Sequence, residues 1–185
     1  INTDEYDNIK SVVNDYLKEG IAHTLDETRN LSDSGQFEDI SLQQGIRQIL
    51  YPYEEMEVLN PEWEVILKDI IDSLFEQMSD EEYNILNEEF GTYMVSRVYE
   101  YRQLLEYLVF RYFAKSIYDY DFLGKCQMLV TNFFVIRQMD IIRWLDNHRE
   151  YSFKDRMDVV HIFSRQVEYS EDNIENLYED FIFDD

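Results

Sequence analysis

The sequence predicts an all-α fold, a multi-helix bundle with two long central antiparallel helices. Only 5 glycines and 2 prolines occur in 185 residues, so the turn signals that β-hairpins need are scarce. Apolar residues also recur at helical spacing along most of the chain. Hydrophobic residues make up 45% and aromatic residues 16%, which is enough for the core of one ordinary domain and unlike a disordered acidic chain.

We expect residues 1–185 to form a single helical domain in three sections. Residues 1–37 are predicted to be a flanking helix, over 4–19, and a loop, over 24–37. Residues 38–90 are predicted to be acidic helices, and residues 91–185 an apolar helical core with an acidic C-terminal helix.

Local signals place the helices of the acidic section. Residues 38–50 have helical spacing. Asn60 before Pro61 is a strong start signal, because a capping side chain precedes a proline at the first helical position. Ser79 and Glu82 form a capping box for another helix. The helix after Pro61 is predicted to bury Val65, Ile66, Ile70 and Leu74.

Two long helices are predicted in the apolar core. The first covers 92–116, where a buried stripe recurs at steps of three and four residues. After a turn at 119–121, the second covers 122–147, and its apolar character on almost every side predicts a central position. The stripe of the first helix consists of Met94, Val98, Tyr101, Leu105, Leu108 and Tyr112.

Two further start signals define the end of the chain. Ser152 with Asp155 predicts a capped helix that ends near Glu168. Ser170 is predicted to cap the last helix. The apolar face of that last helix consists of Ile174, Leu177 and Phe181.

The formal net charge is −24, and it is unevenly distributed. Residues 1–90 carry a net −18 and residues 166–185 a net −8, whereas residues 91–165 sum to +2. This charge argues against direct nucleic-acid binding and against an anionic membrane surface, because both need clustered Lys and Arg. Residues 128–136 form the longest apolar stretch, far short of the roughly 20 residues that a spanning helix requires.

The cysteine and histidine counts exclude several kinds of site. The one cysteine, Cys126, rules out an internal disulfide and a cysteine-ligated zinc or iron–sulfur site within this chain. Cys126 is predicted to be a small buried hydrophobe rather than a nucleophile. Asp158 and His161 are the nearest approach to a di-iron motif, and we expect no metal site. One thiol and no signal peptide predict a cytoplasmic protein.

Charged residues on the second long helix are the candidate site. Arg137, Asp140 and Arg143 interrupt an otherwise core-like helix, and Arg137 and Asp140 share a face. They are predicted either to form a structural ion-pair network or, with His161, to line a pocket that binds a charged group of a substrate. No motif identifies a catalytic residue.

The tyrosines around the first long helix have two interpretations. Their faces could line a groove for a lysine ammonium or its methylated forms, since aromatic rings bind such cations. Alternatively, they fill the core and its rim, with their hydroxyls reaching water, which is the commoner arrangement. The residues concerned are Tyr93, Tyr99, Tyr101, Tyr107, Tyr112, Tyr118 and Tyr120.

Three features within Leu104–Phe183 resemble the C-terminal region of bacterial flagellin lysine N-methylases. The first is an aromatic-rich helix that ends in a Tyr-Asp turn, over Tyr112–Asp119. The second is a long apolar helix that closes on Arg143–Leu145. The third is a Ser-Arg-x-Val-Glu-x-Ser-x-x-Asn sequence, over Ser164–Asn173. Residues 40–90 are more loosely similar to the acidic middle section of that family.

The resemblance implies methyl transfer from S-adenosylmethionine to lysines of flagellin, or of another lysine-bearing protein, by the full-length enzyme. It also implies a cysteine-rich N-terminal module that holds an iron–sulfur cluster. This sequence lacks that module and begins at Ile1, so we expect a C-terminal domain that binds neither cofactor and is inactive alone. Its expected role is substrate docking or structural support, and a homodimer is compatible with the sequence.

A different class of function is a non-catalytic acidic helical module that binds proteins, such as a mimic of nucleic-acid charge. A mimic should present regular rows of carboxylates, spaced like phosphates. Here the acidic residues are concentrated toward the two ends of the chain, around a nearly neutral centre. The sequence therefore favours the methylase domain over the mimic.

Overall fold

A computed structural model describes residues 40–119 and 121–183 of the chain. All regular structure in these two ranges is helical, which confirms the predicted all-α class. The predicted helix 4–19 and loop 24–37 lie outside the described residues. The helices are α1 (Leu42–Glu54), α2 (Pro61–Ile70), α3 (Asp80–Met94), α4 (Val98–Arg111), α5 (Ser116–Asp119), α6 (Phe122–Asp146), α7 (Phe153–Phe163) and α8 (Glu171–Phe183). No helix of the described part combines the length and apolar character needed to cross a membrane.

Helices α2, α3 and α7 begin where the capping signals predict. The Asn60 side chain accepts a hydrogen bond from the Glu62 backbone before Pro61 opens α2. Complete capping boxes start α3 at Ser79 and α7 at Ser152. Each cap satisfies backbone N–H groups that have no partner inside the helix, and is typically worth about 1 kcal/mol. These boundaries are therefore encoded by three or four adjacent residues.

The first long helix differs from the prediction in its start and its continuity. The helical run begins at Asp80 rather than near residue 92, and 3₁₀ turns at Val95–Arg97 and Phe113–Lys115 interrupt it. Two members of the predicted buried stripe, Val98 and Leu105, are exposed. The turn at Val95–Arg97 rotates the following helix, so that Leu104 is buried in place of Leu105.

The second long helix is α6, and it occupies the predicted central position. It contacts α1, α2, α4, α7 and α8. Tyr101 of α4 packs on Phe133, and Phe113 packs on Phe122, so contacts move backward along α6 as the chain moves forward. The α4 and α6 helices are therefore antiparallel, as predicted.

Cys126 corrects one prediction about α6. Its thiol is exposed, not buried. Cys126 shares its side of α6 with Leu123 and Val130, which are also exposed, whereas Met128 and Val135 face the core. The start of α6 is thus amphipathic, because fewer helices cover it than cover its centre.

Buried amides attach the α1–α2 connection to the end of the chain. Gln166 lies in the π-helical turn Ser164–Glu168 that follows α7, and it is fully buried. Its Oε1 accepts from the backbone N–H of Leu59 (2.9 Å) and of Asn60 (3.2 Å), and its Nε2 donates to the Glu57 carbonyl (2.6 Å). Asn173, in the α8 turn that Ser170 caps, also donates to the Glu57 carbonyl (3.1 Å).

We predict that Gln166→Leu lowers the free energy of unfolding by about 2 kcal/mol, because it leaves inward-facing backbone groups of the α1–α2 connection without partners. Urea denaturation followed by circular dichroism measures this change. Gln103→Leu, on the exposed side of α4, is the matched control and should change stability by less than about 0.5 kcal/mol. Equal effects of the two substitutions would contradict the assigned role of Gln166.

Candidate functional site

An open cleft of about 780 Å³ lies between α2 and α7, beside the C-terminal end of α6. We call it the α2–α7 cleft. Helix α2 supplies an outward face at Glu62, Val65 and Asp69, positions that recur at helical spacing. Val65 was predicted to be buried, but it is exposed, because Trp63, Ile66 and Ile70 take the inward face of α2.

The cleft carries charges of both signs. Its acidic residues come from three helices, and all are exposed except the half-buried Asp158. Its basic residues come from α6, α7 and the turn after α7. Lys154 and Asp158 contact each other as an ion pair on α7. Glu62, Asp69 and Asp146 line the cleft, and within the described ranges none of them forms an ion pair. Their negative charges are therefore not neutralised by a neighbouring side chain. The charged lining residues are Glu62, Asp69, Asp146, Asp158, Arg143, Lys154 and Arg165.

Arg143 and His161 are the two predicted site residues that the structure brings together. Both line the α2–α7 cleft, Arg143 from the last turn of α6 and His161 from the last turn of α7. The Arg143 Nε is buried and has no hydrogen-bond partner in the described part of the chain. The residue as a whole is half-buried and lines the cleft, so it places a positive charge at the cleft wall.

Asp140 lies elsewhere, in a fully buried polar cluster at the centre of the bundle. It accepts hydrogen bonds from the hydroxyls of Tyr101 (2.8 Å) and Tyr151, and from the Arg156 guanidinium (2.5 Å). Burial raises the pKa of Asp140, and the Arg156 charge and the two hydroxyls act in the opposite direction. Tyr101 comes from α4 and Arg156 from α7, so this carboxylate joins three helices.

A second carboxylate completes the cluster. Glu100 accepts from Arg156 (3.4 Å) and from Arg97 (2.7 Å), so two buried or half-buried arginines face two buried acids. The Arg156 guanidinium also lies 4.3 Å from the centre of the Tyr101 ring. Buried charges need this pairing, because removing an isolated ion from water costs several kcal/mol. The cluster therefore has the composition of a structural network.

Arg137 is separate from both sites, although it lies three residues from Asp140. Its guanidinium donates to the Asn87 side chain and to the Asn87 carbonyl (3.3 Å), and lies 5.7 Å from the Phe90 ring centre. It therefore fixes α3 against α6. The sequence pattern did not identify Arg156, Tyr101 and Tyr151 as partners of Asp140, although a buried carboxylate required some partner.

The residues present do not fit the iron–sulfur cluster that the resemblance implies. An iron–sulfur cluster needs several thiolates, and this sequence has one cysteine. Across the two described ranges, no group of three or more His, Cys, Asp or Glu is arranged to hold a metal ion. The α2–α7 cleft has no aromatic lining residue to stack on an adenine.

We predict that Asp140→Asn lowers the free energy of unfolding by about 3–5 kcal/mol, because it leaves the Arg156 charge buried with half its compensation. Asp158→Asn removes one acid from the exposed pair with Lys154 and should cost about 0.5 kcal/mol or less. Thermal and urea unfolding of both variants provide the comparison. A loss below 1 kcal/mol for Asp140→Asn would show that the cluster does not hold the bundle together.

No curated protein and no solved structure matches this chain. A family model described as the FliB lysine N-methylase C-terminal domain matches residues 1–185. The match extends beyond Leu104–Phe183, where the resemblance is clearest, and confirms it. The chain therefore belongs to the FliB lysine N-methylase C-terminal domain family.

Proposed function

We propose that this domain docks a lysine-bearing substrate, flagellin, for methylation by the enzyme that contains it, and that the α2–α7 cleft is the docking site. The observation that carries this proposal is the set of exposed carboxylates at Glu62, Asp69 and Asp146, which point into one open cleft without cationic partners in the described structure. A lysine side chain is a compact cation with three donors, and it matches such acceptors.

The basic residues of the cleft could orient the bound substrate, because they contact its acceptor groups while the carboxylates contact its lysine. Arg143 lines the cleft as a half-buried cation, which suits a backbone carbonyl or a carboxylate of the substrate. His161 lines the same cleft, so these two predicted substrate-binding residues keep that proposed role. A mixture of charges also counts against the nucleic-acid mimic, which needs rows of like charge.

Arg137 and Asp140 are proposed to act indirectly, as positioning residues. Asp140 holds Arg156 on the inner face of α7, and the outer face of the same helix presents Asp158 and His161 to the cleft. Arg137 fixes α3 to α6, the helix that carries Arg143. The buried contacts thus fix α7 and α3 against α6, and α6 and α7 carry the basic residues of the cleft. The methyl source, S-adenosylmethionine, and the iron–sulfur cluster are proposed to bind outside this chain.

We predict that the double variant Glu62→Gln/Asp69→Asn, in the methylase that carries this domain, lowers kcat/KM for flagellin about tenfold, because carboxylates in a cleft concentrate a cationic substrate. The change should appear in KM and should shrink at high salt, with kcat retained. Methylation of flagellin at several substrate and salt concentrations measures it.

The matched control is Glu81→Gln/Asp172→Asn, which removes the same charge from exposed first turns of α3 and α8, outside the cleft. It should leave kcat/KM within about twofold of the parent enzyme, because distant exposed charges are screened by salt. Equal losses for the two double variants would assign the effect to net charge and overturn the docking site.

A further inference from the structure

Arg149 covers a pocket that has the chemistry of a cation-binding site. The pocket has a volume of about 520 Å³ and lies between α3 and the end of α6. Its carboxylates are Glu88 and Glu89, and its aromatic rings are Tyr93 and Trp144. We call it the Trp144 pocket. It shares no lining residue with the α2–α7 cleft.

A cation already occupies the pocket. The Arg149 guanidinium carbon lies 5.2 Å from the centre of the Trp144 ring, and its Nη1 lies 2.9 Å from the Glu89 Oε2. One aromatic face and one carboxylate are the two elements that recognise lysine and methylated-lysine side chains. The Arg149 side chain is 57% exposed, so it can leave the pocket without disturbing the core.

The aromatic walls of the pocket are rigid. Trp144 packs against Phe90 (5.4 Å between ring centres) and Tyr93 (5.6 Å). The Tyr93 hydroxyl accepts a hydrogen bond from the Tyr151 backbone N–H at 2.9 Å, which fixes the ring. The Trp144 Nε1 is buried and has no hydrogen-bond partner among the described residues. The walls are therefore preformed, and only Arg149 has to move.

The backbone holds Arg149 in an unfavourable conformation. His148 (φ 56°) and Arg149 (φ 68°) both adopt left-handed backbone angles that normally favour glycine. The Arg149 N–H donates to the Trp144 carbonyl (2.7 Å), so this turn terminates α6 and delivers the guanidinium to the ring. Two consecutive strained residues are retained here, and they place a cation over an aromatic face.

We propose that the Trp144 pocket binds an Nε-methylated lysine side chain, and that Arg149 is a resident competitor that must swing out first. Methylation weakens the hydration of the ammonium group, which favours an aromatic face, and the remaining N–H can donate to Glu88 or Glu89. The inference rests on the proposed function for its lysine-bearing partner, but it uses different residues. It gives the domain a site for the product, separate from the cleft that docks the substrate.

The test titrates the 185-residue chain with Nα-acetyl-Nε-methyl-lysine amide and follows the two tryptophan indole groups by NMR. Arg149→Gly removes the competing cation and suits the left-handed backbone, so it should bind the probe about tenfold more tightly than the parent chain. The Trp144 signals should shift, while those of Trp63, which does not line the pocket, should not. Adding Glu89→Gln should reverse the gain, and unmethylated lysine amide should bind more weakly.

Arg102→Ala is the control, because it removes an exposed arginine from an ordinary helical ion pair with Glu106. It should leave probe binding unchanged. Absence of a Trp144 shift in folded Arg149→Gly would overturn the proposal, as would an equal gain in Arg102→Ala. Glu62→Gln/Asp69→Asn should not alter probe binding. Unchanged flagellin kinetics in that double variant, with a Trp144 shift in Arg149→Gly, would therefore reject the docking site alone. Weakened flagellin docking without a Trp144 shift in Arg149→Gly would reject this inference alone.

Discussion

The buried carboxylate of Asp140 is the constraint on which the bundle depends. A charge at the centre of a core helix must be compensated, and the available partners come from α4, α7 and the connection before α7. Because these partners meet at one carboxylate, they determine which faces of α4 and α7 turn toward α6. Arg156 faces inward on α7, so Asp158 and His161 must face outward. The orientation of the α7 wall of the cleft thus follows from the need to satisfy one internal charge.

The acidic residues of the chain have several structural roles, and the net charge does not distinguish between them. Glu82 and Asp155 are used at helix starts, where they accept from backbone N–H groups. Glu100 and Asp140 neutralise buried arginines. Only a part of the acidic set faces open clefts and is available to partners. Surface potential would attract cationic proteins in general, whereas the positions of the cleft carboxylates would determine where such proteins bind.

Sequence reasoning succeeded where the determinants are local. The capped starts at Asn60, Ser79 and Ser152 need only adjacent residues, and periodicity gave the length of α6. It failed where packing between distant segments decides, as for the exposed side chains of Val65 and Val98. The site could be predicted only in part for the same reason. The sequence shows that a buried Asp140 needs a partner, but Arg156 reaches it only because the chain turns between α6 and α7.

The exposure of Cys126 has a practical consequence. It is the sole thiol of the sequence, and it stands near the opposite end of α6 from Trp144. Eighteen residues of continuous helix separate the two positions, about 27 Å at the usual rise. A spin label or fluorophore attached there would sit on a rigid support, away from both the cleft and the tryptophan. The 185-residue domain is thus suited to single-site spectroscopy of complex formation, without any engineered cysteine.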